Sequence, residues 1–147
     1  MNLKRYAYFT NEDFLDYEFY SEGPKGKIKK VVHYQKINEN PVVYNLAFGD
    51  FNEETNTIND IINTNNDDRD IVLATVASTI IDFTDHYGDV YIYATGSTLA
   101  RTRLYQMGIS RIYIDIQNDF EVYGLLKGEW HRFIRPINYD AFLVKKK

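Results

Sequence analysis

The chain has 147 residues and a mass of 17.3 kDa, the size of one domain. Hydrophobic residues make up 44% and charged residues 26%, the balance of an ordinary globular chain, which excludes a disordered tract, a collagen and a membrane bundle. The net charge of −4 argues against a protein that coats duplex DNA through its overall charge.

Cysteine is absent. That removes a disulfide framework, a thiol nucleophile and a Cys-ligated metal site. No apolar signal region follows residues 1–6, and no apolar run approaches the roughly 20 residues that cross a bilayer. The expectation is a cytoplasmic protein with no membrane partner, its oligomeric state left open. Thirteen Tyr and nine Phe lean the composition toward β structure, since aromatic side chains suit a pleated, half-buried surface.

In chain order, residues 17–20 form a short aromatic run, and Gly23-Pro24-Lys25-Gly26 signals a turn. Residues 27–37 alternate with a rough period of two through Ile28, Val32 and Tyr34, as a half-buried strand does. After a turn at residues 38–40, residues 42–48 predict a strongly apolar strand. Residues 49–56 predict a longer hairpin loop, and residues 57–63 a fourth strand through Ile58 and Ile62. Together these predict an antiparallel meander.

The period then changes. From Arg69 to Tyr87, apolar residues fall at Val72, Val76, Ile80, Phe83 and Tyr87, with a second line at Leu73, Ala77 and Thr84. This is the stripe of an amphipathic helix. Asn65, Asn66, Asp67 and Asp68 are candidate caps, and Gly88 is placed to end the helix. Residues 90–94 are apolar or aromatic throughout and predict a central strand buried on both faces. Residues 98–107 predict a short second helix, with Ser97 as its cap and Gly108 just past its end. Residues 112–116, 120–126 and 130–134 predict further strands, the first of them a parallel neighbour of residues 90–94. In the tail, Tyr139, Phe142 and Leu143 are expected to dock and Lys145, Lys146 and Lys147 to stay in water.

Two constellations bear on chemistry. In the first, a strand ends in Gly96, Ser97 and Thr98 and opens a helix. Free amides at a helix start, with two hydroxyls, suit an anion. Arg101 lies near that positive dipole end, where a cation is disfavoured unless it has a partner. The partner is either an anionic ligand or an internal carboxylate such as Asp89 or Asp115. Arg103, two residues on, points to a different side of the helix. The second constellation is the basic hairpin Lys25, Lys27, Lys29 and Lys30, followed by His33 and Tyr34. Interleaved basic and aromatic residues suit single-stranded nucleic acid, with Tyr17, Tyr20 and Tyr34 as stacking platforms. A solvated edge hairpin explains the same pattern.

Asp67, Asp68 and Asp70 do not have calcium-loop spacing and are better explained as first-turn acids. Asp82, Asp85 and His86 suit the solvated side of the long helix. His33, His86 and His131 are scattered, and no Ser/His/Asp order, metal-binding His pair or phosphate-loop glycine string is present. No catalytic residue, metal ligand or cofactor is assigned, and whether the protein is an enzyme is left open.

Gly96-Ser97-Thr98-Leu99-Ala100-Arg101-Thr102-Arg103-Leu104-Tyr105 resembles a stretch found in a family of small bacterial proteins of unknown function. Ser21-Glu22-Gly23-Pro24-Lys25-Gly26, Tyr44-Asn45-Leu46-Ala47-Phe48-Gly49-Asp50 and Val72-Leu73-Ala74-Thr75-Val76 fit the same resemblance. It implies membership and no activity.

These elements predict a single α+β domain over residues 1–147. An antiparallel or mixed sheet of about six to eight strands carries the long helix on one face, with a short second helix beside it. Besides an enzyme with no recognisable motif, two functional expectations follow. One is a binding module for a phosphate-bearing ligand, nucleic acid or nucleotide, through residues 96–101 and the basic hairpin. The other is a protein-interaction partner in a small regulatory or defence pair, using an exposed aromatic patch.

Overall fold

The computed structural model describes residues 3–59 and 66–147. The first part is the expected four-stranded meander preceded by one short strand that was not expected, β1 (Phe9–Thr10); the expected strands are β2 (Asp16–Gly23), β3 (Gly26–Glu39), β4 (Val42–Asn52) and β5 (Thr57–Asn59), and all five are joined antiparallel in sequence order. Alternation decides which face is buried. Tyr17 lies opposite Val32 and Phe19 opposite Lys30, and Val32 lies opposite Phe48. All are buried, so one face of the sheet is the core face and the intervening residues point the other way.

β4 runs past Gly49 and Asp50 to Asn52, where a loop was expected. Gly49 lets the β5 backbone approach, since a Cβ there would fall 2.5 Å from the Asn59 carbonyl oxygen. Asp50 pairs with Lys30 across the ladder. Of the predicted fourth strand, residues 57–59 are strand; residues 60–63 and the candidate cap Asn65 lie outside the described residues.

The long helix, α1 (Arg69–Tyr87), buries Val72, Val76, Ala77, Ile80, Phe83 and Thr84, the predicted stripe. Phe83 stacks on Tyr34 with ring centroids 4.1 Å apart. Gly88, at φ 87°, ends the helix and donates its N–H to the Thr84 carbonyl at 2.8 Å. At the other end Asp68 holds the capping position without a side-chain cap bond. Its carboxylate instead accepts hydrogen bonds from the Tyr6 hydroxyl at 2.7 Å and the Ser21 hydroxyl at 2.5 Å, tying the helix start to β2.

The chain continues through β6 (Tyr91–Ala94), α2 (Leu99–Ile116), β7 (Phe120–Leu126), β8 (Glu129–Arg132) and β9 (Phe142–Lys146). Among the described residues the sheet has nine strands in the order β1-β2-β3-β4-β6-β9-β7-β8, with β5 on β4. It is mixed, because β6 is parallel to β4 and α1 makes the crossover between them. The class is therefore α+β, with a mixed sheet and two helices.

Three expectations are corrected here. The second helix is not short: α2 runs through Gly108 to Ile116, and residues 112–116 are helix, not a strand parallel to β6. Gly108 is interior because α1 crosses there, and a Cβ at Gly108 would overlap Leu73 Cδ1. Ile109, Ile112 and Ile116 continue the helical period onto the core side. β6 is central, as predicted, but covered on one face only: Ile92 is buried while Tyr91 and Tyr93 are half exposed. In the tail, Tyr139 and Phe142 dock as expected, both buried, but the lysines are not simply solvated. β9 lies inside the sheet between β6 and β7, and its lysines make ion pairs, Lys145 with Asp89 at 3.1 Å and Lys146 with Asp85.

A cleft at the start of the second helix as candidate functional site

Between the helices and the core face of the sheet lies a partly open cleft of about 290 Å³. Leu73, Val76, Ala77 and Ile80 of α1 form one wall, and Tyr105, Ile109, Ile112 and Ile116 of α2 another. β4 contributes Phe48, and Phe120, Phe142 and Val144 close the far side. The lining is almost wholly apolar. The polar exceptions are Asn45 and the stretch from Thr95 to Ser97, where β6 hands over to α2. The cleft therefore reaches the glycine-and-hydroxyl segment that is a candidate anion site in the sequence.

That segment has a defined local structure. Thr98, not Ser97, is the N-cap: its hydroxyl oxygen accepts from the Arg101 N–H at 3.2 Å, and its backbone is extended. The Gly96 N–H donates to the Thr102 hydroxyl oxygen at 3.1 Å. A Cβ on Gly96 would lie 2.7 Å from the Arg101 Cβ, so Gly96 and Arg101 are in direct packing contact. Ser97 and Thr98 are exposed and Arg101 is half-buried.

The two arginines separate as expected. The Arg103 guanidinium donates to the Tyr139 carbonyl at 2.5 Å and lies 3.5 Å from the Gln106 side-chain oxygen, so it fastens α2 to the segment before β9. Arg101 makes no ion pair among the described residues. Asp89, one of the two carboxylates considered for it, is taken by Lys145.

The basic hairpin lies elsewhere. Its alternation sends Ile28, Lys30 and Tyr34 to the core face and Lys27 and Lys29 to the face away from the helices. Lys29 pairs with Glu18 at 3.0 Å, a hydrogen bond that raises its pKa, and lies 4.4 Å from the Phe51 ring centroid. Lys27 faces Glu22 at 3.8 Å and Tyr20 at 5.5 Å. Lys25 sits in the turn, where its N–H donates to the Asn66 side chain at 2.7 Å. Tyr34 is fully buried and shares a 2.8 Å hydrogen bond with the Thr79 hydroxyl; burial raises its pKa well above 10. Tyr17 is also buried. Neither ring is open to a base. Tyr20 alone of the three platforms stands on the same face as the lysines.

Sequence reasoning missed the cleft walls. Ala77, Ile80 and Ile112 look like core residues, and in composition a cavity lining and a packed core are the same. It also missed the Lys30–Asp50 pair, in which the lysine side chain is 1% exposed. Its one visible sign is Lys30 in an otherwise apolar register.

No helix among the described residues is long and apolar enough to cross a membrane. No curated protein and no solved structure matches the chain. A family model matches residues 2–147, almost the whole chain, and by that match the protein belongs to the family of unknown function DUF6934.

Proposed function

We propose that the protein is a binding module for a small ligand with an apolar body and an anionic group, a phosphate or carboxylate. The apolar body lies in the cleft, and the anion meets Gly96, Ser97, Thr98 and Arg101 at its mouth. The observation that carries this is the meeting of two independent features at one place. The apolar cleft is lined at the β6–α2 junction by Thr95, Gly96 and Ser97, and Arg101, whose Cβ packs against Gly96, makes no ion pair among the described residues.

Size narrows the ligand. An apolar cavity of ~150 Å³ accepts benzene, so 290 Å³ suits a body of on the order of ten carbons. Helix-start amides and a guanidinium favour a negative head over a neutral or positive one. The hairpin residues Lys25, Lys27, Lys29 and Tyr34 play no part, because two of the lysines face away from the helices and Tyr34 is buried.

Decanoate, decanol and sulfate are suitable probes in thermal melts and calorimetry. Decanoate should stabilise the parent more than decanol does, and sulfate should act weakly at the mouth alone. Ala77→Leu, which fills the cleft, should abolish the effect of both ten-carbon probes. Arg101→Ala should leave the unliganded melting temperature nearly unchanged and reduce the decanoate response to that of decanol. A parent indifferent to all three probes, or an Ala77→Leu protein that still binds them, refutes the proposal.

A further inference from the structure

The lining of the cleft gives it a direction. Tyr105, Ile109, Ile112 and Ile116 form one stripe of α2, so the cleft follows the helix for roughly 16 Å. The sheet beneath supplies a second ruler. Phe142 pairs with Gly124, and Phe120 stands on the same face of β7 four residues earlier, roughly 13 Å away. The two ends differ. Thr95, Gly96 and Ser97 stand where α2 starts, whereas Ile116 and Phe120, where α2 ends and β7 starts, are apolar and buried. Asn45, the remaining polar residue of the lining, is in register with Tyr93, and alternation turns its side chain toward the uncovered face of the sheet.

We infer that the ligand of this cleft is a single-chain amphiphile: one unbranched alkyl chain laid along α2, its tip at Phe120 and its anionic head at Ser97. The assignment rests on the binding role proposed above and narrows it to a shape. Length and volume agree for such a chain. An extended chain advances about 1.3 Å per carbon, the length of a bond projected on its zigzag axis, so the cleft takes about ten to twelve carbons end to end. Its volume of about 290 Å³ takes on the order of ten. A compact body of the same volume would be about 8 Å across in every direction and would leave nearly half of the length empty. Spread along the cleft, that volume is about 5 Å wide, the width of one chain in van der Waals contact with its walls. Ile116 and Phe120 set the length limit, because a longer chain must displace a buried side chain or leave carbons in water.

Calorimetry of the full chain tests this with straight-chain carboxylates from hexanoate to tetradecanoate, each below its micelle concentration. Adamantane-1-carboxylate, a compact cage with nearly the carbon count of decanoate, is the control for shape. Affinity should rise about tenfold for each two carbons as far as decanoate or dodecanoate, and then stop rising or fall. The cage should bind at least about tenfold more weakly than decanoate. Phe120→Leu, which draws back the end wall, should move the best chain length up by about two carbons. A circular-dichroism melt checks that this variant folds, and the parent series decides the shape without it. A parent that binds neither the chains nor the cage overturns the binding role itself. A parent that binds the cage as tightly as decanoate, or gains affinity at every step to tetradecanoate, keeps the binding role and overturns the single-chain assignment. A folded Phe120→Leu protein with the parent's length profile overturns the placement of the tip.

Discussion

Gly124 of β7 lies flat against the ring of Tyr139, so close that a Cβ on Gly124 would overlap the ring, with Tyr139 Cδ2 only 2.6 Å away. Tyr139 cannot retreat. It is 1% exposed, its hydroxyl donates to the Arg132 carbonyl at 3.3 Å, and the Ile134 N–H donates to that hydroxyl at 3.0 Å. Gly124→Ala should therefore destabilise the domain by about 3 kcal/mol, the upper range for overpacking, lowering Tm by roughly 10 °C. A melt within about 2 °C of the parent would show that the ring is free to shift.

The contact between Gly108 and Leu73 predicts a change of sign. In the parent, Gly108→Ala meets Leu73 Cδ1, with Cγ 3.2 Å away, and should cost on the order of 1–2 kcal/mol despite the better helix propensity of alanine. After Leu73→Ala the clash is gone. There the same change should stabilise by up to about 1 kcal/mol. Denaturant melts of the four proteins close the cycle, and equal effects in both backgrounds would contradict the packing.

Lys30 and Asp50 form an ion pair at 2.5 Å on the core side of the sheet, beside Phe48. Asp50→Ala leaves a buried ammonium without its carboxylate and should cost about 3–5 kcal/mol. Replacing both residues, Lys30→Met with Asp50→Leu, should recover most of that loss, because neither charge of this pair is then left in the core. A double variant no more stable than Asp50→Ala would mean that the pair holds more than itself together.

Tyr17 is 1% exposed, and its hydroxyl has no hydrogen-bond partner among the described residues; the nearby Thr10 hydroxyl donates to the Asp16 carbonyl instead. Tyr17→Phe should thus be neutral or slightly stabilising at pH 7. Burial also pushes the Tyr17 phenol up to about 12. Raised above the unfolded value near 10, it contributes stability that is complete below pH 10 and is lost as pH rises toward 12. Stability of the parent should fall across that window, and Tyr17→Phe should fall less steeply. Parallel curves for the two proteins would show that the phenol is not protected by the fold.

Val76 tests the helix register itself. It lies in the middle of the α1 stripe, 8% exposed and facing the cleft. Val76→Asp should unfold or aggregate the protein, since an unpaired buried carboxylate costs several kcal/mol against a total of ~5–15. A soluble variant with the parent melt would require a different buried face.

The elements legible in the amino-acid order were those whose signals are local. The period of α1 from Val72 to Phe83, the Gly88 stop, the alternation in β2 and β3 and the Phe120–Leu126 strand follow from side-chain spacing within a few residues. The β6–α2 junction was legible for the same reason: Gly96, Ser97, Thr98 and Arg101 are neighbours in the chain. The rest depends on contacts between residues far apart in the chain. Gly108 carries the signature of a helix end, but the close crossing with Leu73 makes a glycine the residue that fits there, and α2 continues. That continuation in turn places Ile112 and Ile116 on the cleft and leaves Ile114 exposed. β9 looked like a basic tail because its lysines find Asp85 and Asp89 at and just beyond the end of α1, about sixty residues earlier in the chain. Whether an apolar residue fills a core or lines a cavity depends on how far apart two helices settle on a sheet, and that distance is set by every side chain between them at once.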